Sequence, residues 1–325
     1  MVKIMITQNE QDQRLDKFLK KYLRNASLSH IYKLIRKDVK LNGKRALPSA
    51  VLNLGDELDI YISEEDEKAF ASARGAPKQK RQFRIAYEDK SIIIVEKPFG
   101  LLTHGTSSEK KNTLANQVIS YLIEQGEYNP AERTFSPAPV GRLDRNTTGL
   151  VIFGKNSQAL KDLNMMVRER DCIKKYYTTI VVGEINKDLA LKGKLGKDHD
   201  ENMVSIMESD AAAGKQIETV ARVVKKTKGF TLLEVELLTG RTHQIRAHLA
   251  HAGHPIIGDA KYGDARVNRR IAAKYGLTTH MLHAGRLCFE KTLPCFDYLA
   301  NMEVNAALPD EFRRIKSEIF DKDRI

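Results

Sequence analysis

The chain has no tryptophan and only three cysteines. It also has no apolar run near the roughly 20 residues that cross a bilayer as a helix. Cys172, Cys288 and Cys295 are too few for a disulfide framework and include no C-x-x-C pair, which excludes a stapled secreted domain and a cysteine-ligated zinc site. Met1-Val2-Lys3-Ile4-Met5-Ile6-Thr7 lacks the long apolar region of a signal peptide, so the expectation is a cytoplasmic protein with reduced thiols. Acidic residues are in deficit: 42 against 54 lysines and arginines, a net charge of +12 over 325 residues. A surplus of that size favours a polyanionic partner, and without a membrane segment RNA or DNA stands ahead of lipid. Nothing in the composition implies an obligatory protein partner.

Apolar residues make up 42% and charged residues 30%, enough for a substantial core, and the length suggests two domains or a large domain with an appended module. In the first 62 residues, Leu15, Phe18, Leu19, Tyr22 and Leu23 recur at helical spacing. A second helix carries Ile31, Leu34 and Ile35 inward and starts at a cap, Ser27 or Ser29. Val39-Lys40-Leu41, the turn Asn42-Gly43 and the stretch from Leu54 to Ile62 read as strands of a small sheet. Residues 11–45 hold eleven lysines and arginines against three aspartates. Such a one-sided surface points to nucleic acid, with Arg14, Lys17, Lys21, Lys33, Arg36, Lys37 and Lys44 as candidate contacts. A merely solvated charged face is the alternative. Residues 63–82 pass through an acidic patch into a stretch almost without large apolar residues, which predicts a flexible linker and two domains free to reorient.

From residue 83 to 325 strands dominate, with a few helices laid over them. Ile92-Ile93-Ile94-Val95 is apolar enough for a buried strand, Pro98 and Gly100 enforce a turn, and a helix is predicted over Thr113 to Glu124. Further strands are expected at Val151-Ile152-Phe153, Lys175–Val182 and Phe230–Leu238, and a helix over Ser157–Val167.

Two segments are dense in reactive side chains. In Gly141-Arg142-Leu143-Asp144-Arg145-Asn146-Thr147-Thr148-Gly149-Leu150, an aspartate between two arginines precedes an apolar strand. It reads either as a held nucleophile or base, or as a turn-capping carboxylate. In the second, Gly240-Arg241-Thr242-His243-Gln244-Ile245-Arg246-Ala247-His248 opens a helix after a strand, and four histidines fall in residues 243–254. Their spacing is not H-E-x-x-H and no carboxylate lies among them, so phosphate or carboxylate recognition by the arginines is preferred to a metal site.

Gly141 to Leu150 resembles the HRLDxxTSG signature of the RluA-type pseudouridine synthases, with Gly141 in place of the frequent histidine and Thr148 in place of serine. Lys175-Tyr176 with Val182-Gly183 is similar to that family's tyrosine-bearing strand. Leu238 to Arg246 with Gly253-His254-Pro255-Ile256 and Gly258-Asp259 is similar to its arginine motif. Lys97-Pro98 and Gly100 match its early turn, and Leu282-His283-Ala284, Leu287 and Phe289 its closing strand. The N-terminal segment, with Arg14 to Leu19, Ser29, Ile35, Val39 to Lys44 and Leu54-Gly55-Asp56, resembles the alpha-L RNA-binding module, departing from it at His30 and Lys37-Asp38.

The resemblance implies an α+β protein: a catalytic domain with a mixed, mainly antiparallel sheet and flanking helices, behind a small α/β RNA-binding module. It implies pseudouridine formation in structured RNA, most readily large-subunit ribosomal RNA, without a cofactor. Asp144 takes the position of the catalytic aspartate, Tyr176 that of a tyrosine stacked on the base, Arg241 that of the aspartate's arginine partner, and Arg142 that of an arginine that helps flip the nucleotide. Competing readings are a non-catalytic RNA-binding or ribosome-assembly factor, a synthase acting on transfer RNA, and a metal-dependent nuclease or hydrolase built on the histidines.

Overall fold

A computed structural model describes residues 1–70, 79–169, 171–197, 203–207 and 214–321. The basic segment forms helices Leu15–Tyr22 and Leu28–Asp38, whose apolar stripes are buried. They pack with a four-stranded sheet of Val2–Met5, Glu57–Ile60, Val39–Leu41 and Lys44–Arg45. Ser27, not Ser29, is the cap: its Oγ accepts from the His30 amide at 3.2 Å. Asn42 and Gly43 join two strands at φ of 51° and 75°, the backbone a two-residue hairpin turn demands.

The expected linker is ordered at both of its described ends. Residues Glu64–Phe70 are a helix, because Ser63 caps it through the Asp66 amide and four acidic side chains sit at its positive N-terminal end. Phe70 joins the core of the N-terminal unit, and the Tyr22 hydroxyl bonds Glu67 at 3.1 Å. Gln79 and Gln82 donate their amides to Ser120 and Gln117 of the larger unit. Residues 71–78, the middle of that expected linker, lie outside the described residues. The two units meet through polar contacts: Arg24 to the Arg133 carbonyl at 2.7 Å, Arg133 to Glu67 at 2.8 Å, and Lys161 to the Gln11 carbonyl at 2.9 Å.

The larger unit is built on an eleven-stranded sheet. Its path runs Val204–Met207, Leu189–Lys197, Lys215–Thr227, Phe230–Leu237, Ile173–Val182, Leu282–Phe289, Thr148–Gly154, Ile92–Lys97 and Arg84–Glu88. Ala138–Pro139 and Glu303–Asn305 pair off this path. All the pairings are antiparallel except that of Thr148–Gly154 with Leu282–Phe289, so the sheet is mixed and mainly antiparallel as expected.

Both faces of the central strands are covered, which explains their unbroken apolar runs. Ile92, Ile94, Leu150 and Ile152 pack with helix Ser157–Arg168, while Ile93, Val95, Val151 and Phe153 pack with helix Leu114–Glu124. Further along, Tyr177, Val181, Leu233 and Val235 meet helix Gln244–His251. Ile180 and Leu232 meet helices Ala265–Tyr275 and Asp310–Phe320. Leu143 packs against both the core under Leu114–Glu124 and the core under Gln244–His251. The loop that carries Asp144 therefore bridges two halves of the sheet.

Candidate active site

That loop, residues 140–147, is fixed at several points. The Thr147 amide bonds the Asp144 carbonyl at 3.1 Å, closing a turn under the carboxylate. Lys97, 1% exposed, donates to the carbonyls of Pro98, Leu101 and Arg145 at 3.0, 2.7 and 2.8 Å. Burial pushes its pKa down to about 7, against the pull of nearby Asp144. Thr103 Oγ1 takes both the amide and the carbonyl of Leu143, at 3.2 and 2.9 Å. From the closing strand side, His280 Nε2 meets Thr147 Oγ1 at 3.0 Å and His283 Nδ1 meets Thr148 Oγ1 at 2.8 Å. His283 Nε2 is bonded to the Ala306 carbonyl, so Nδ1 is its acceptor and Thr148 the donor.

Asp144 faces a cavity of about 310 Å³, within the size range of small-molecule sites, whose walls include Tyr177, Leu237, Ile245 and Leu282. Its Oδ2 lies 2.9 Å from Arg246 Nη1. Arg246 is 6% exposed, and its other edge is gripped by Asp259 in a fork of 2.7 and 2.9 Å. Asp259 is fully buried and also accepts from the Lys261 and Tyr262 amides. Arg246 and these backbone amides hold the Asp259 carboxyl below its ordinary range against the opposing effect of burial. The Tyr262 ring lies 5.2 Å from the guanidinium, and its hydroxyl accepts from the Val204 amide and meets His243 Nδ1 at 3.0 Å. His243 then presents Nε2 to Asp144 Oδ2 at 3.7 Å, and burial lowers its pKa, so the imidazole is neutral at pH 7.

Two of the expected site residues do not touch the Asp144 carboxylate among the described contacts. Arg241 is exposed in the turn before helix Gln244–His251 and lines the cavity, but among the described residues it makes no ion pair with Asp144. Its amide bonds Gln244 Oε1 at 3.1 Å, fixing the turn, while Arg246, inside the helix, reaches the aspartate. Tyr176 is not beside the carboxylate either. Successive strand side chains point to opposite faces. Tyr177 shares the cavity with Asp144, which together with burial raises its hydroxyl pKa. Tyr176 instead stacks under Arg286 at 3.9 Å.

Arg142 is exposed on the rim and has no ion pair among the described residues. Arg14, Lys17, Lys21, Lys33, Arg36, Lys37 and Lys44 are all exposed on the N-terminal unit, though Arg14 is paired with Asp16 at 2.8 Å and Lys21 bonds Gln13 at 2.9 Å. The histidines of residues 243–254 do not converge, and no group of three or more metal-ligating side chains occurs among the described residues. His248 bonds Thr219, and His254 meets the Val182 carbonyl. Lys97, Asp259, Tyr262 and His280 were not assigned roles from sequence. A buried arginine inside a helix that requires a second carboxylate was the signal for Asp259.

Residues 91–251 match the family model described as RNA pseudouridylate synthase. The chain is 30% identical to ribosomal large subunit pseudouridine synthase C of Vibrio vulnificus over 96% of both proteins. It is 33% identical to the protein of the same name from Escherichia coli over 88% of each. Among solved structures, human RNA pseudouridylate synthase domain containing 4 superposes with a TM-score of 0.57 at 21% identity, covering 72% of this chain and 92% of that one, a likeness of fold. No helix among the described residues is long and apolar enough to cross a membrane. With near full-length similarity to curated enzymes added to an anchored aspartate in a cavity, the chain belongs to the RluA-type pseudouridine synthases and is an RNA-modifying isomerase.

Proposed function

We propose that this enzyme converts a uridine of large-subunit ribosomal RNA to pseudouridine, and that Asp144, Arg246 and Tyr177 form its catalytic centre. The names of the relatives support the choice of RNA, and a ribosomal RNA substrate is in keeping with a cytoplasmic enzyme. The observation that carries the residue roles is the chain Asp259–Arg246–Asp144 at the wall of the cavity. Arg246 holds one oxygen of Asp144, and Oδ1 has no partner among the described residues.

Pseudouridine formation breaks the bond from the ribose to N1, turns the uracil and rejoins it through C5. The proton leaving C5 is balanced by one gained at N1, so no external donor is consumed. The free oxygen of Asp144 can attack the anomeric carbon, attack the base or remove a sugar proton. The fork from Asp259 keeps Arg246 from following the carboxylate as it moves, so the ion pair also orients it. Tyr177 lines the cavity and can stack on a uracil held there, and Arg142, which also borders it, can replace stacking or grip a phosphate as the nucleotide leaves the helix. The exposed lysines and arginines of the N-terminal unit supply a non-specific field that recruits the RNA.

The test is pseudouridine mapping in large-subunit ribosomal RNA from cells with and without the gene, with complementation by Asp144→Asn. One or a few positions should lose modification without the gene. Asp144→Asn should fail to restore them while still binding the RNA. Restoration by Asp144→Asn would remove the aspartate from the chemistry, and a change confined to transfer RNA would reassign the substrate.

A further inference from the structure

Lys175 stands two residues before Tyr177 on Ile173–Val182, so the two side chains leave the same face of the sheet. It lines the main cavity and also the smaller cavity of about 40 Å³ beside it, with Gly141 and Arg142 bordering both. Among the described residues its ammonium has neither an ion pair nor a hydrogen bond. Burial pushes its pKa down to about 8, with no carboxylate acting against that. Asp144, the carboxylate of the main cavity's lining, is engaged by Arg246. Opposite Lys175, Gly141 is not one of the glycines held at positive φ, so its backbone does not require glycine. What glycine provides there is space: a Cβ on residue 141 would sit 3.7 Å from Lys175 Nζ, and a longer side chain would cover it.

We propose that Lys175, left open to the cleft by Gly141, is a binding site for an RNA phosphate, the one flanking the extruded uridine. The proposal rests on the functional reading above. A half-buried cation without a counter-charge favours an anionic ligand, and a neutral uracil carbonyl would leave its charge in place, whereas a phosphate cancels it. Arg142 at the border of the same two cavities supplies a second donor to such a group. Lys175 thereby fixes the sugar–phosphate chain while Asp144 works on the glycosidic bond.

The experiment uses a synthetic RNA hairpin carrying the uridine identified by the mapping, and full-length protein in the Asp144→Asn background so that binding is read without turnover. Adding Lys175→Met should weaken binding about tenfold and reduce the slope of log affinity against log salt by about one. A methylphosphonate linkage 5′ or 3′ of the uridine, which removes one phosphate charge, should weaken the parent at one of the two positions by a similar factor and leave Lys175→Met unaffected there. Gly141→Leu, which keeps the lysine but covers it, should reproduce the loss and guards against a folding defect in Lys175→Met. An unchanged salt slope in both variants, or a methylphosphonate penalty equal with and without Lys175, overturns the proposal. Absence of turnover of that hairpin by the unsubstituted enzyme overturns the functional reading and this one with it; turnover with an unchanged slope overturns this one alone.

Discussion

Tyr176 and Tyr177 are adjacent, similarly buried at 8% and 7%, and opposite in surroundings. One ring lies under Arg286, whose guanidinium is paired with Glu234 at 2.8 Å; the other borders the cavity of Asp144. Tyr177→Ala should therefore lower kcat for pseudouridine formation by two or more orders of magnitude. Tyr176→Ala should leave kcat within a few-fold and cost stability, including about 1 kcal/mol of cation–π interaction. Single-turnover kinetics and chemical denaturation of the two variants separate these outcomes, and the reverse pattern would return the stacking role to Tyr176. The arginines divide in the same way. Arg241→Ala removes an exposed side chain, whereas Arg246→Ala strands the fully buried Asp259, a loss on the order of 3–5 kcal/mol. Arg246→Lys is the informative change, because it retains charge but cannot span Asp259 and Asp144 with one planar fork. It should keep the fold and lose most activity.

At the level of elements, strand Thr148–Gly154 and the closing strand meet in parallel at Gly149 and Ala284. Gly149 has φ of 110°, and a Cβ there would lie 2.1 Å from the Ala284 carbonyl oxygen. Gly149→Ala must part the two strands that carry the Asp144 loop and its His283 peg, so it should destabilise by roughly 2–4 kcal/mol. A melting curve that matches the parent would show that the junction yields. Elements with unbroken apolar runs or strong helical periodicity were legible in the sequence, as Ile92–Lys97 and Leu114–Glu124 show. Strands Leu189–Lys197 and Lys215–Thr227 were not, because lysines and glycines interrupt them and their pairing is mainly with each other and with Phe230–Leu237. The position of Asp144 was legible because a local motif carries it. The arginine that contacts it and the tyrosine that shares its cavity lie five residues and one residue beyond those expected, since helix phase and strand face decide them and the motif alone gives neither. The helix over 64–70 was not legible because its charges read as solvated, whereas Ser63 gives it a cap and Phe70 an anchor.

For the molecule as a whole, acid should weaken the fold through its buried histidines. His248 and His280 are 2% and 5% exposed, and burial holds the pKa of each down to about 4. Each stays neutral in the native state while the unfolded chain takes up a proton near pH 6.5. Their contribution is thus fully present above that pH and is lost as pH falls from about 6.5 to about 4, by roughly 3 kcal/mol for each histidine over the whole window and roughly 2 kcal/mol of it by pH 5. Urea denaturation at pH 7 and pH 5 checks this, and the loss should shrink in His280→Gln, whose amide can still meet Thr147 but does not titrate.

The two units are joined differently from the way each is built. The N-terminal core draws on residues 2–70 alone, and the cores of the larger unit draw on residues 83–320. Between them the described contacts are hydrogen bonds, ion pairs and the stacking of Arg133 over the Tyr22 ring at 4.9 Å, with Arg133 to Glu67 as the chief charged one. Removing residues 1–70 therefore takes away a whole core, where a cut after residue 62 would leave Phe70 exposed on a stranded helix. The shortened chain should keep its melting transition for the larger unit. Its RNA affinity should fall, and the salt dependence should flatten by roughly two in log–log slope if about half of Lys17, Lys33, Arg36, Lys37 and Lys44 reach phosphates. Turnover at saturating RNA should persist, since Asp144, Arg246 and Tyr177 all lie in the retained unit. An unchanged salt slope would show that recruitment belongs to the cleft and its rim, with Arg142 and Lys175 carrying it.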